Sequence, residues 1–401
     1  MQSNCKSVQF FFMLIPRQSA GYARQLAEWF PVLVVTGPRQ SGKTTLVRQL
    51  FPNLPYRSLE DPDVRAYAEE DPRSFLGVGG MIVDEIQRVP GLLSYIQTIV
   101  DTSPSASFIV TGSQNFALLE TITQSLAGRV GLLTLLPLSI AELQAGGHPT
   151  KSFEEAATLG GYPRIFERGM PASVFHANYV GTYLERDVRM LKNIGDLSTF
   201  QRFVRLCAGR VGQLLNLSSL ATDAGISVNT AKSWMSVLQA GYIVQLLQPY
   251  HKNFNKRLTK SPKLYFLDTG LACWLLGIEH PDQLERHHAR GAIFENLVMT
   301  EIWKEMLNRG RRVETYFWRD HHGLEVDCLI EDGQKLRAVE MKSTATITPD
   351  LLRGLKRWQE LAANESTEAT VIYAGPNTER RGEIRILPYH NAAELLQPEP
   401  G

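Results

Sequence analysis

Two sets of residues in this chain have the types and spacing to do chemistry. The first opens with Gly37-Pro38-Arg39-Gln40-Ser41-Gly42-Lys43-Thr44, a match to G-x-x-x-x-G-K-[ST]. Its glycines let backbone N–H groups turn inward onto phosphate oxygens, and a helix beginning at its far end adds a favourable dipole. In such a loop Lys43 reaches the β- and γ-phosphates of ATP, Thr44 holds Mg²⁺, and Thr45 follows on the first helical turn. Arg39, inside the loop, either touches phosphate or pairs with an acid. The flanks suit the motif: Val32-Leu33-Val34-Val35 reads as a buried strand, and Thr45 to Leu50 as the start of a helix.

A cradle alone does not show hydrolysis. Met81-Ile82-Val83-Asp84-Glu85 supplies an apolar strand ending in two carboxylates. Asp84 is placed to join the Mg²⁺ shell, and Glu85 to orient or deprotonate the attacking water. A third apolar strand, Phe108-Ile109-Val110-Thr111, runs into Gly112-Ser113-Gln114-Asn115. If that strand is central, Ser113, Gln114 or Asn115 lies where it would sense the γ-phosphate. Arg129, in Ser125-Leu126-Ala127-Gly128-Arg129-Val130, is a candidate for stabilising transition-state charge in cis or from a neighbouring subunit. A surface arginine is the ordinary alternative. The Asp84-Glu85 pair suits activation of water better than transfer to a bound acceptor, which argues against a small-molecule kinase.

The second set lies in the C-terminal third. Leu324 to Ile330 alternates as a strand, Glu331-Asp332-Gly333-Gln334 makes a turn, and Leu336 to Lys342 is the return strand. With Asp332-Gly333 at the centre of the turn, Asp327 sits opposite Ala338 and diagonal to Glu340. Lys342 shares their face by period-two alternation. Two carboxylates and a lysine are the equipment for Mg²⁺-assisted phosphodiester cleavage: the acids hold the metal, and the lysine positions water and neutralises charge. Glu295, in the helical run Gly291 to Val298, is a candidate third metal ligand beside Asp327 and Glu340.

The elements that must position these groups follow from composition and pattern. A chain of 401 residues with 43% hydrophobic content suits two to four domains with real cores. The net charge of +1 points no global field at nucleic acid or membrane, so any basic surface is local. Cys5, Cys207, Cys273 and Cys328 are scattered, which fits a reducing cytosol and neither a disulfide framework nor a zinc site. No apolar run has the length of a membrane span. Val8 to Ile15 is apolar but short and lacks a cleavage site, so it does not read as a signal peptide, and Met13 offers an alternative start. Strands near 32–36, 56–59, 80–84, 107–111 and 131–135 alternate with helices and imply a mostly parallel sheet. Residues 138–145 and 152–206, interrupted at Gly160-Gly161-Tyr162-Pro163, read as a helical lid, with Tyr183 to Arg189 a charged helix.

Residues 214–250 carry a different signature. Leu217 to Ala224 reads as a short helix, Gly225-Ile226-Ser227 as a turn with Ser227 as N-cap, and Ala231, Trp234, Met235 and Leu238 as the core stripe of a second helix. This is a helix-turn-helix. The strand Tyr242 to Leu247 makes it winged. A basic stretch follows, with Lys252, Lys256, Arg257, Lys260 and Lys263 interleaved with Tyr250, Phe254 and Tyr265. Such residues contact phosphates without sequence specificity, unless the lysines are simply solvated.

The pattern D-x(12)-E-x-K on a hairpin, after a helix glutamate, looks like the PD-(D/E)-x-K nuclease superfamily, with Glu325-Val326 in place of its proline half. From about Ile15 onward the chain resembles the prokaryotic AAA-type ATPases that carry a C-terminal domain of unknown function. The landmarks are Gly37-Pro38-Arg39-Gln40, Asp84-Glu85-Ile86-Gln87, Ser125 to Arg129, Lys260 to Gly270, Phe294-Glu295-Asn296 and Glu340-Met341-Lys342-Ser343. The resemblance implies an ATPase core, a winged helix and a nuclease-like domain. The expected fold is therefore α/β: a P-loop AAA-type parallel sheet (14–143), a helical lid (144–206), a winged helix-turn-helix (207–270) and an α/β nuclease-like domain (285–398). The expected function is Mg²⁺-dependent ATP hydrolysis in the cytoplasm, with DNA as partner, no membrane, and room for a homo-oligomer. The alternative is a nucleotide-dependent switch that binds protein partners and keeps the nuclease fold as scaffold. The complete Asp327/Glu340/Lys342 set favours catalysis.

Overall fold

A computed structural model of the protein describes residues 14–113, 125–184, 197–250, 261–320, 323–333, 335–362 and 366–396. The N-terminal sheet comprises β1 (Val32–Thr36), β2 (Tyr56–Ser58), β3 (Ile82–Asp84), β4 (Phe108–Thr111) and β5 (Val130–Thr134) in the order β2-β3-β4-β1-β5. All its pairings are parallel. The run Val32 to Val35 is buried on both faces, as a central strand of a parallel sheet must be. Strands with one polarity bring the ends of β1, β3 and β4 to the same edge, where α/β sheets bind ligands. The five expected strands are thus present, each within one or two residues of its expected bounds.

Helices Phe153–Leu159, Pro163–Arg168 and Ala172–Tyr179 follow, then Leu197–Ala208. Residues 185–196, including most of the expected charged helix, lie outside the described residues. The helices Leu217–Ala224 and Val228–Ala240 fall where two helices joined by a glycine turn are expected. Gly225 turns through φ 73, and the Ser227 hydroxyl accepts from Thr230 N–H at 3.1 Å. Ala231, Trp234, Met235 and Leu238 are buried, with Trp234 edge-on to Phe200 and Phe203.

Strands β6 (Val244–Pro249) and β7 (Lys263–Phe266) pair antiparallel, and the end of β6 pairs parallel with β8 (Thr315–Arg319). With β9 (Glu325–Asp332), β10 (Lys335–Lys342), β11 (Ser366–Tyr373), β12 (Glu379–Arg381) and β13 (Ile384–Pro388) they form one sheet ordered β12-β13-β11-β10-β9-β8-β6-β7. The sheet therefore crosses the expected boundary between residues 270 and 285. One hydrophobic core likewise runs from Leu136 through Phe203, Trp234 and Phe266 to Leu396.

The helix Arg290–Asn308 lies at the centre of this arrangement, buried on nearly every side. Its Glu301 accepts from Ile140 N–H at 2.7 Å, and its Lys304 donates to Leu138 O at 2.9 Å. Both contacts fall on the chain leaving β5, so the helix is docked directly on the N-terminal sheet's exit. A second link starts at Tyr242, a non-glycine residue at φ 56, whose hydroxyl donates to Thr36 Oγ1 at 2.9 Å. Thr36 is the last residue of β1 before the phosphate loop.

Candidate functional site

The loop from Gly37 to Gly42 leaves β1 and enters the helix Lys43–Leu50. Gly37 has φ 143, and a Cβ there would meet Leu135 O at 2.2 Å, so no other residue fits. Gly42 turns the chain into the helix at φ 94. Lys43 Nζ donates to the carbonyls of Gly37 and Pro38 at 3.1 and 2.8 Å, which holds the ammonium across the mouth of the loop. Thr44 Oγ1 donates to both oxygens of Asp84, at 3.1 and 3.0 Å. Asp84 also accepts from Tyr56 at 2.8 Å and from Thr111. Burial and the Asp84 charge push the Tyr56 hydroxyl up to about 12, so it remains a neutral donor. Thr45 is exposed on the first helical turn.

Glu85 follows Asp84 in a left-handed conformation, φ 59 and ψ 47. Its Oε2 receives Gln87 Nε2 at 2.5 Å and Ser113 Oγ at 3.4 Å, with Arg39 Nη1 at 3.8 Å. Arg39 thus lies within ion-pair distance of an acid. Ser113 is buried beside Glu85, while Gln114 and Asn115 lie outside the described residues. The loop is also braced by a residue that sequence reasoning missed. Arg17 donates to Ser41 O at 2.9 Å and Leu136 O at 2.6 Å, and pairs with Glu142 at 3.1 Å.

Arg129 stands apart from the loop. It precedes β5, and its carbonyl accepts from Val32 N–H at the start of β1. The phosphate loop leaves the other end of β1, roughly 15 Å away at ~3.3 Å per residue. Its guanidinium pairs with exposed Asp101 at 2.5 Å. The guanidinium therefore lies at the end of β1 away from the phosphate loop, paired with Asp101.

The hairpin is corrected, in register but not in face. Asp332 pairs with Lys335, and the ladder runs to Val339 against Cys328. The turn is centred one residue later than expected, with Gly333 at φ 65 in its first position. Pairing shifts by two, and the register continued one residue past Val339–Cys328 sets Asp327 against Glu340 instead of Ala338, where directly opposite Cβ atoms lie roughly 5 Å apart. Asp327 accepts from Met341 N–H at 2.8 Å, and Lys342 Nζ reaches Glu340 at 2.5 Å.

Lys263 is the second correction. It is expected among exposed phosphate-contacting residues, yet it is 3% exposed. Its ammonium pairs with Glu295 at 2.9 Å and with Glu325. Tyr265, expected beside it on that surface, is buried and donates to Glu295 at 2.5 Å. Tyr250 is buried too. Lys252, Phe254, Lys256, Arg257 and Lys260 lie outside the described residues. Glu295 is therefore held by Lys263 and Tyr265. Among the described residues no three His, Cys, Asp or Glu side chains converge as a set able to hold a metal ion. Asp327 and Glu340 remain as a facing pair.

Burial, then the charge of Asp327, raises Glu340 to about 8 and Glu295 to about 7. Burial alone would lower Lys342, but Asp327 and Glu340 outweigh it and raise the ammonium. Lys263 is raised in the same way by Glu295, Asp327 and Glu325.

Residues 30–144 match an AAA domain, 150–282 the domain of unknown function DUF8612, and 290–392 the domain of unknown function DUF4143. The chain is 30% identical over 370 residues to uncharacterized proteins Rv2008c of Mycobacterium tuberculosis and Mb2031c of Mycobacterium bovis, covering 90% of this chain and 81% of each relative. Among solved structures it is similar to the Walker-type ATPase PABY2304 of Pyrococcus abyssi, at TM-score 0.44 and 14% identity, over 65% of this chain and 96% of that one. Domain III of the Thermotoga maritima replication initiation protein DnaA gives TM-score 0.29 and 15% identity, over 43% and 88%. No helix among the described residues is long and apolar enough to cross a membrane.

Proposed function

We propose, from the premise that this chain belongs to the family of the mycobacterial protein Rv2008c, AAA-type ATPases with a DUF4143 C-terminal domain, that it hydrolyses ATP with Mg²⁺ and couples turnover to a nuclease-like site acting on DNA. The observation that carries the ATPase reading is the contact of the Thr44 hydroxyl with Asp84 at 3.0–3.1 Å, beside Lys43 and Glu85. Hydroxyl and carboxylate oxygens are hard donors that fit Mg²⁺, and a bound ion would neutralise charge on the phosphate oxygens. The chain's own groups do the rest. Loop N–H groups and Lys43 orient the triphosphate. Ser113 lies where a γ-phosphate would be sensed. Glu85 takes a proton from water as the water oxygen bonds to the γ-phosphorus, and ADP leaves with the electron pair of the broken bond. Arg129 serves only the nucleotide of a neighbouring subunit.

At the second site Asp327 and Glu340 would hold a divalent ion, and Lys342 would neutralise charge on a phosphodiester. The helix pair Leu217–Ala224 and Val228–Ala240, with hairpin β6-β7, serves as a winged helix that presents Asn229 and Lys232 to DNA. One observation favours the second reading, a switch with a scaffold domain: Lys263 already compensates Glu295 and Glu325 from inside the cluster. The two are separated by measuring ATP turnover with and without plasmid, branched and single-stranded DNA, and metal-dependent cleavage of each, for the parent, Lys43→Ala and Asp327→Ala. Turnover lost in Lys43→Ala and cleavage lost in Asp327→Ala support the first reading. Turnover without cleavage of any substrate supports the switch. Absence of turnover in the parent overturns both.

A further inference from the structure

Among the described residues, three buried polar atoms around the nucleotide loop have no hydrogen-bond partner: Gln40 Oε1, Ser41 Oγ and Gln87 Oε1. Buried polar atoms are nearly always satisfied, so a cluster of exceptions marks a place where a bound species supplies the partner. The first two belong to the loop and fall to the nucleotide. Gln87 belongs to neither half of the nucleotide motif.

Gln87 sits in the short 3-10 turn Ile86–Arg88 directly after Glu85. The left-handed backbone of Glu85 costs roughly 1–2 kcal/mol in a residue with a Cβ. Its N–H is pinned to Thr111 Oγ1 at 3.2 Å. That kink ends β3 abruptly and brings two side chains, two positions apart, onto one another. Gln87 Nε2 donates to Glu85 Oε2 at 2.5 Å and to Ser113 Oγ at 3.1 Å. A carboxylate only accepts, so the donor end of the amide must face Glu85 and the acceptor end must be the orphan. The orphan oxygen therefore lies beside the carboxylate assigned to the attacking water.

We propose that Gln87 is a catalytic, water-positioning residue, holding Glu85 through Nε2 and accepting one hydrogen of the attacking water at Oε1. This rests on the ATPase reading above. A water held by one acceptor can rotate about that bond. Held by two, it presents its lone pair in a fixed direction. Glu85 takes the proton that leaves, while Gln87 neither gains nor loses one, so the proton balance of hydrolysis is unchanged. Gln87 also ties the base to Ser113, so the water and the γ-phosphate sensor are placed together.

The test uses the full chain and compares kcat, KM and equilibrium ATP affinity in the parent, Gln87→Met, Gln87→Glu, Glu85→Gln and the double variant Gln87→Met/Glu85→Gln. Methionine keeps the length and apolar volume without the amide. Gln87→Met should lose about 10²-fold in kcat with ATP affinity and Tm retained. Gln87→Glu should fall as far, because it replaces the donor facing Glu85 with a like charge. The double variant should fall no further than Glu85→Gln alone, since both residues act on one water. A kcat within about twofold of the parent, a loss of affinity in step with kcat, or multiplying losses in the double variant would overturn this assignment and leave the ATPase reading intact. A parent that binds ATP without turning it over would remove both.

Discussion

Replacing Lys263 by Met removes a cation that the structure buries among acids. Its ammonium is 3% exposed and touches Glu295 and Glu325, with Asp327 a third negative neighbour. Methionine preserves the volume of the stem but leaves these carboxylates facing one another. Breaking a buried pair in this way costs about 3–5 kcal/mol. The Glu295 and Glu325 side chains are 17% and 22% exposed, so water screens part of the loss. The lower end of that range, about 3 kcal/mol, is expected. At about 2.1 cal/mol/K of unfolding entropy per residue over 401 residues, it corresponds to a fall of about 3–4 °C in Tm. Scanning calorimetry at neutral pH reads this directly. Adding Glu295→Gln should recover much of the fall, because the remaining amide carries no charge. A Tm within about 1 °C of the parent, or no recovery in the double variant, would refute the buried-cation argument.

Lys43→Ala should abolish detectable binding of fluorescent ATP while leaving Tm in the absence of nucleotide close to the parent's; retained affinity would sink the phosphate-loop assignment. Glu340 and Glu295 are raised from 4.5 to about 8 and about 7. The folded chain therefore holds protons that the unfolded chain has lost, and stability should fall as pH rises from about 4.5 to about 8. Glu340→Gln should flatten that slope in denaturant titrations, and a slope of the opposite sign would contradict the buried acid pair. If Arg129 serves a neighbour's nucleotide, turnover per chain should rise with protein concentration in the parent and stay flat in Arg129→Ala. A parent rate independent of concentration would leave Arg129 as a surface cation paired with Asp101.

The N-terminal sheet was legible because its signals are local. Val32 to Val35 is an unbroken apolar run, and a loop that must carry φ 143 and φ 94 takes glycines at 37 and 42. The two helices around Gly225 were legible for the same reason, from Ser227 and the stripe Ala231 to Leu238. The errors come from effects that a linear reading cannot weigh. Lys263 follows a basic run, yet Ser261-Pro262 breaks that run. Period-two alternation then turns Lys263 and Tyr265 to one side of β7, toward Glu295. The place of Arg129 follows from strand polarity: a residue before a parallel strand lies at the opposite end from the loops that follow the strands. The hairpin slipped by one residue at the turn, which moved the pairing by two and preserved the face. Arg17 carries no motif and Gln87 stood only as the end of the landmark Asp84-Glu85-Ile86-Gln87, so the folded chain alone brings them to Ser41 and Glu85.

The sheet shared by β6-β7 and β8 has a consequence for how such a chain can be cut or shuffled. A domain that can be transplanted has its own interior and few contacts across its borders. Here the helix Arg290–Asn308 has apolar and charged side chains buried on all sides, and Glu301 and Lys304 find their partners on Ile140 and Leu138. A fragment beginning near residue 285 would expose that helix to water and strip β8 of β6 on one side. A fragment ending near residue 144 would uncover Leu138 and free Thr36 from Tyr242. The two halves should therefore express poorly alone and be inherited as one block, whatever the boundaries suggested by their separate chemistries.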